Sequence, residues 1–154
     1  MDTLRHLEVV SAVSNRSSGS RGVFANCTIP AGAAICSITF DRILRAPSRH
    51  TVQIGMDAHV QPLPDELQLV NHGCDPNVTF DVERMVLRAL RTIEAGDQLR
   101  YFYPSTEWEM AEPFECFCGA AACLRLIEGA SRLSAEVHER YELAPHIREM
   151  RSFC

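Results

Sequence analysis

Lysine is missing from this chain: all 15 basic residues among its 154 are arginine, set against 20 acidic residues for a formal net charge of −5. Codon bias in a GC-rich genome accounts for such an exchange without a physical cause. Its chemical consequence is that the α-amino group is the one primary amine in the sequence. The chain also lacks any run of arginines, so it has no concentrated basic stretch to neutralise phosphates, and no direct nucleic-acid partner is expected. No apolar stretch reaches the 18 or more residues that span a bilayer, and Met1-Asp2-Thr3-Leu4-Arg5-His6 is not a charged-then-apolar leader. The expectation is no membrane partner and a soluble, intracellular protein, cytoplasmic or, in a eukaryote, nuclear. There is no internal repeat, and 154 residues fit one domain. The 7 cysteines cannot all pair with one another, which argues against an exported disulfide scaffold.

Short extended segments separated by turn formers dominate what is present. Leu7 to Val10 with Ala12 and Val13, Gly22 to Ala25, Ala33 to Phe40 and Thr51 to Ile54 read as strands, the polar run Ser14 to Gly22 as a loop. Pro64 to Val70 reads as one or two helical turns. It leads into Asn71-His72-Gly73-Cys74-Asp75-Pro76-Asn77, a turn crowded with reactive side chains. Val78–Val82 and Met85–Leu90 form a hairpin around Glu83-Arg84, and Gln98 to Tyr103 is a further strand stopped by Pro104. Ser134 can cap a helix with Leu133, Val137 and Tyr141 on one face; Pro145 can open another with Ile147 and Met150 inward. Both read as packing helices. The class is mainly β.

Cys116, Cys118 and Cys123 stand in a C-x-C-x4-C pattern, three thiolates that leave a tetrahedral zinc one ligand short. Cys74, in a turn able to present its side chain, is the candidate for the fourth. Four sulfurs would close the coordination sphere and make the ion structural, with free thiols as the alternative.

An ordered set of motifs resembles the SET-domain family of S-adenosylmethionine-dependent protein lysine methyltransferases. It comprises Arg21-Gly22-Val23-Phe24-Ala25 with Ile29-Pro30-Ala31-Gly32, then residues 71–77, then Ile93-Glu94-Ala95-Gly96-Asp97-Gln98-Leu99 leading to Tyr101-Phe102-Tyr103. The cysteine cluster resembles the family's post-SET element. The resemblance implies small twisted sheets with a pseudoknot where the segments near Asn71 and Tyr103 cross. It divides the chain into a catalytic part over 1–112, a zinc-binding post-SET segment over 113–126 and a helical tail over 127–154.

By the same resemblance, Arg21, Gly22, Val23 and Phe24 would cradle the methionine moiety of S-adenosylmethionine. Asn71 and the main chain at His72 would hold its amino group and adenine, and Phe114 and Cys116 would cover the adenine ring. Tyr103 falls at the position of the catalytic tyrosine, and Tyr101 at the position that limits methylation multiplicity. The chain departs from the family pattern at Ser20, where Gly is usual, at Gly73 for Ser, at Gln98 for Glu and at Arg125 for Gly. The segment between Gly55 and Val70, which forms one wall of the family's peptide groove, is short and suits a small or loosely held substrate. The implied acceptor is a lysine in a protein or peptide. A small metabolite bearing an amine or carboxylate remains the alternative, as does a catalytically inactive, zinc-stabilised binding module. Methyl transfer to an amine is an in-line displacement that depends on alignment, and a channel of aromatic rings lowers a lysine pKa by desolvation. No carboxylate in the sequence stands out as a base.

Overall fold

Alternating apolar residues and frequent turn formers fold this chain into short strands rather than long ones. The computed structural model describes residues 9–14 and 21–153. In chain order the strands are β1 Val10–Ser14, β2 Arg21–Ala25, β3 Ala34–Ser37, β4 Val52–Gly55, β5 Ala58–Val60 and β6 Asn71–His72, followed by β7 Val78–Asp81, β8 Val86–Ala89, β9 Gln98–Tyr101, β10 Phe114–Glu115 and β11 Leu126–Ile127. They assemble as small sheets in the orders β1-β2-β9-β6, β3-β8-β7, β4-β5 and β10-β11. Single turns of 3-10 helix cover Asp65–Leu69, Tyr103–Ser105 and Ala130–Arg132, and two short helices, α1 Ala135–Arg140 and α2 Pro145–Ser152, close the chain. This is the mainly β architecture expected. The polar run at 15–20 and the start of the first strand at Leu7 and Glu8 lie outside the described residues.

The hairpin of β7 and β8 forms as the sequence suggests, with Phe80 opposite Leu87 and Asp81 opposite Val86. Its turn is fixed by Asp81, whose Oδ1 accepts the amide of Arg84 at 3.1 Å, while Met85 takes a φ of 53°. One main core joins the two larger sheets. Val23, Leu87, Ala89, Ile93 and Leu99 are at most 1% exposed in it, and each large side chain so buried contributes about 1.5–3 kcal/mol.

Three sequence expectations need correction. The Ala33–Phe40 strand is shorter, because the β3–β8 register shifts between Ala34 and Cys36 and Thr39 then bridges to Leu63. Residues 71–77 are not all turn: Asn71 and His72 pair in parallel with Arg100 and Tyr101. Finally β9 ends at Tyr101, and Tyr103 opens a 3-10 turn, because Pro104 has no amide to continue a ladder.

The second tail helix packs as expected, with Ile147 fully buried, while the first buries a different residue. Ser134 accepts the Val137 amide at 3.3 Å and Pro145 opens α2, but in α1 it is His138 that is buried, donating from Nε2 to the Ala130 carbonyl at 2.9 Å. Tyr141 stacks on Phe102 with ring centroids 3.6 Å apart, and its hydroxyl donates to the Cys74 carbonyl at 2.7 Å. Gly129, at φ 115°, lies so close to residue 108 that a Cβ there would be 2.5 Å from the Trp108 carbonyl oxygen. The tail therefore lies flat against residues 102–108.

Candidate functional site

The end of β9 is where three separate stretches of chain meet. Parallel pairing puts His72 beside Tyr101, and the next turn brings the Tyr103 amide to His72 Nδ1 at 3.1 Å and the Tyr103 hydroxyl to the Val70 carbonyl at 3.0 Å. This interlocking of residues 70–77 with 100–107 is the crossing implied by the resemblance. The rings of Tyr101 and Tyr103 remain 4.6 Å apart although only Tyr101 is in the strand. Burial and the nearby Glu107 carboxylate raise both phenols: Tyr103 to about 12 and Tyr101 well above its usual value, so both keep their protons at neutral pH.

These residues line a cavity of about 1110 Å³, which is ample for a nucleoside-sized ligand and a second reactant. On one side a polar chain runs along the rim. Asn71 Nδ2 donates to the Arg21 carbonyl at 2.6 Å and to Gln98 Oε1 at 3.3 Å, and the same Gln98 oxygen accepts Arg100 Nε at 3.2 Å. Asn71 Oδ1 accepts no hydrogen bond among the described residues, leaving an acceptor on the cavity wall. Gly73 fits the stem of Arg100, since a Cβ at 73 would lie 3.0 Å from the Arg100 Cβ.

On the other side stands the cysteine cluster. The sulfurs of Cys74, Cys116, Cys118 and Cys123 all lie within 4.8 Å of one another, and Cys74 and Cys116 are 4.0 Å apart. A zinc–thiolate tetrahedron with bonds of about 2.3 Å has edges of roughly 3.8 Å, so the four sulfurs fit one ion with little movement. His72 touches the cluster as well. Its Nδ1 accepts the Tyr103 amide, so in the neutral ring the proton is on Nε2, which lies 3.3 Å from Cys74 Sγ and donates to it. Burial, reinforced by Arg100, lowers the His72 pKa to about 4 and keeps the ring neutral.

Sequence reasoning missed Glu107. Only 4% exposed, it lines the cavity, and its Oε2 accepts the Gln53 amide at 2.9 Å and the Thr106 hydroxyl at 2.7 Å. Burial raises its pKa to about 7, against the lowering effect of those two donors. Nothing in the local sequence separates it from the other acidic residues of the segment. Its one signal is a position four residues after Tyr103, where a tight turn returns the chain to the same cavity: the amides of Thr106 and Glu107 both bond the Tyr103 carbonyl.

Of the residues singled out from the sequence, Arg21, Asn71, His72, Tyr101, Tyr103, Phe114, Cys116 and Cys118 line the cavity. Gly22, Val23 and Phe24 lie in β2 behind it, with Val23 1% exposed in the main core, and do not line it. Cys74 and Cys123 sit in the thiol cluster at its edge.

A model of the SET domain matches residues 20–104. The chain belongs to the SET-domain family. Methyltransferase flvH of Aspergillus flavus is 36% identical over 148 residues, covering 94% of this chain and 80% of that protein. An H3 lysine-4-specific histone-lysine N-methyltransferase of Emericella nidulans is 36% identical over 63 residues, which is 36% of this chain and 5% of that protein. Among solved structures, KRYPTONITE in complex with mCHG DNA and SAH superposes with a TM-score of 0.59 at 21% identity, over 76% of this chain and 28% of that one. The SET fold and membership of a methyltransferase family are thus established for this chain. No helix among the described residues is long and apolar enough to cross a membrane.

Proposed function

We propose that the cavity at the end of β9 binds S-adenosylmethionine and that the protein transfers its methyl group to the side-chain amine of a lysine in a protein or peptide. The observation that carries this is the convergence on one cavity of Asn71, His72, Tyr101 and Tyr103, all inside the matched SET segment, with Phe114 from the segment that follows it. The Asn71 Oδ1, without a donor among the described residues, suits the cofactor's ammonium, and Phe114, edge-on to the rings of His72 and Tyr103 at 5.6 and 5.9 Å, offers an apolar face to the adenine. Arg21 contributes to that wall, and Gly22, Val23 and Phe24 support it from β2. S-adenosylmethionine, when bound, supplies a methyl group activated by its sulfonium.

The residues present do the rest. Tyr103 donates its proton to the Val70 carbonyl, so its oxygen is left as an acceptor that can favour partial positive charge on a transferring carbon. Tyr101 and Tyr103 narrow the acceptor channel, exclude water and set how many methyl groups fit. The four cysteines hold one structural zinc, tying the 113–126 segment to the turn at 71–77, and the 127–154 tail backs the 103–107 turn.

A second reading, in which the acceptor is an amine on a small molecule, is favoured by one observation. The relative matched along nearly the whole chain is named simply a methyltransferase, whereas the match to the histone enzyme covers 63 residues. Mass-spectrometric methyl transfer against a peptide library and a metabolite extract, side by side, separates the two. Tyr103→Phe should abolish transfer to either while leaving cofactor affinity, measured calorimetrically, within a few-fold. A protein that binds no S-adenosylmethionine is a zinc-stabilised binding module instead.

A further inference from the structure

The methyl-transfer reading accounts for the tyrosines, the polar rim and the thiols, and leaves one buried group in the cavity without a task. Glu107 is fixed at three points. Its amide donates to the Tyr103 carbonyl at 3.0 Å, its own carbonyl accepts the Ala130 amide at 2.9 Å, and its Oε2 takes two short hydrogen bonds. Its other oxygen, Oε1, has no hydrogen-bond partner among the described residues, and the side chain faces the cavity beside both tyrosines. The carboxylates in ion pairs have arginine partners instead, at the surface for Asp75 with Arg91 and Glu136 with Arg140, and half-buried for Asp81 with Arg84 and Arg88. A carboxyl group with a spare oxygen, held rigidly in a cavity and paired with no arginine among the described residues, has room for a cation.

We propose that Glu107 is the receptor for the acceptor's ammonium group: Oε1 binds a primary or secondary alkylammonium in the acceptor channel and takes one proton from it. This rests on the methyl-transfer reading and makes the substrate an amine rather than a carboxylate, which Glu107 would repel. In the proton step an N–H bond of the ammonium breaks and an O–H bond forms on Oε1. The electron pair stays on nitrogen, leaving a neutral amine and a neutral carboxyl group with the total charge unchanged. Other groups around it do not compete for that proton. Tyr101 on β9 and Tyr103 in the following turn remain protonated, and His146 on α2 donates from Nε2 to the Thr106 carbonyl at 2.7 Å and is kept neutral by burial. Arg49 and His50 line the same cavity, with the Arg49 charge felt at Tyr103.

The test uses n-butylammonium as probe and 1-butanol as its neutral counterpart, titrated by ligand-observed NMR into the full chain with and without SAH. Saturable binding of n-butylammonium to the wild type is expected, weakened about tenfold or more in Glu107→Gln while 1-butanol binds both proteins alike, as loss of a charge-assisted hydrogen bond requires. Equal n-butylammonium affinity in the two proteins, or none for the wild type, overturns the proposal. Should Glu107→Gln fail to fold, the wild type alone decides. Its preference for n-butylammonium over 1-butanol should fall about tenfold between pH 8 and pH 5 as the carboxylate takes up a proton, and a flat preference overturns the assignment. The SAH titration reads the methyl-transfer proposal separately: SAH binding with no ammonium preference removes Glu107's role and leaves that proposal standing.

Discussion

The two walls of the cavity are built on different physics. The wall formed by β2 and β9 belongs to the main core, where Val23 and Leu99 are sealed between sheets, and it stands on apolar burial. The wall over residues 110–127 has strands of two residues each, a small cluster around Cys74, Cys116 and Ile127, and Phe117 left 80% exposed. Strands so short and so little apolar area cannot pay for their own ordering. With zinc held as proposed, one half of the site is specified by hydrophobic pattern and the other by four sulfur atoms.

Removing the metal is the sharpest way to break the comparison. A chelator, or Cys118→Ser, should release about one zinc per chain and cut amide hydrogen-exchange protection at Cys116 and Leu126 by a hundredfold or more, with β2 and β9 protected as before; structural zinc is worth on the order of 10 kcal/mol in small domains. Equal loss on both sides would mean the walls fold as one. The converse is Leu99→Ala, which should lower global stability by about 2–5 kcal/mol in denaturant unfolding whether or not metal is bound.

A third difference concerns pH. Glu107 has its carboxyl raised in the folded state from 4.5 to about 7, so its contribution is fully present below pH 4.5 and is lost as pH rises through 7. Across that window the wild type should lose roughly 3 kcal/mol relative to Glu107→Gln, read as the difference between their melting profiles. Parallel profiles would show that Glu107 is not buried in solution. The smallest effect lies in the thiol-dependent wall. Arg125 is exposed and sits at φ 69°, a left-handed conformation that suits glycine, so Arg125→Gly should stabilise that wall by about 1 kcal/mol at most.

How much of this could be read from the sequence followed the range of the interactions. The β7–β8 hairpin is local, and Glu83 and Arg84 mark its turn; Ser134 and Pro145 likewise mark helix starts through effects within one turn. Cys74 could be assigned to the thiol cluster 42 residues ahead because tetrahedral coordination demands a fourth ligand. No comparable demand pointed to β6, two residues with no periodicity that become a strand because β9 lies beside them. Tyr103 was found through an ordered motif, and Glu107 escaped because its role depends on a fold-back turn and on the Gln53 amide 54 positions earlier. The buried residue of α1, His138, was passed over for Val137 because its burial rests on a bond to the Ala130 carbonyl rather than on apolar spacing.

His72 bridges the two walls with a single imidazole, one nitrogen on the Tyr103 amide and the other on the Cys74 sulfur. A change in the position of the 103 turn must therefore alter the electron density on one of the four clustered sulfurs. Cadmium-113 placed at the four cysteines would turn the cluster into a spectroscopic reporter, its resonance shifting as the cavity fills. Ligand occupancy could then be followed by a nucleus that never touches the ligand.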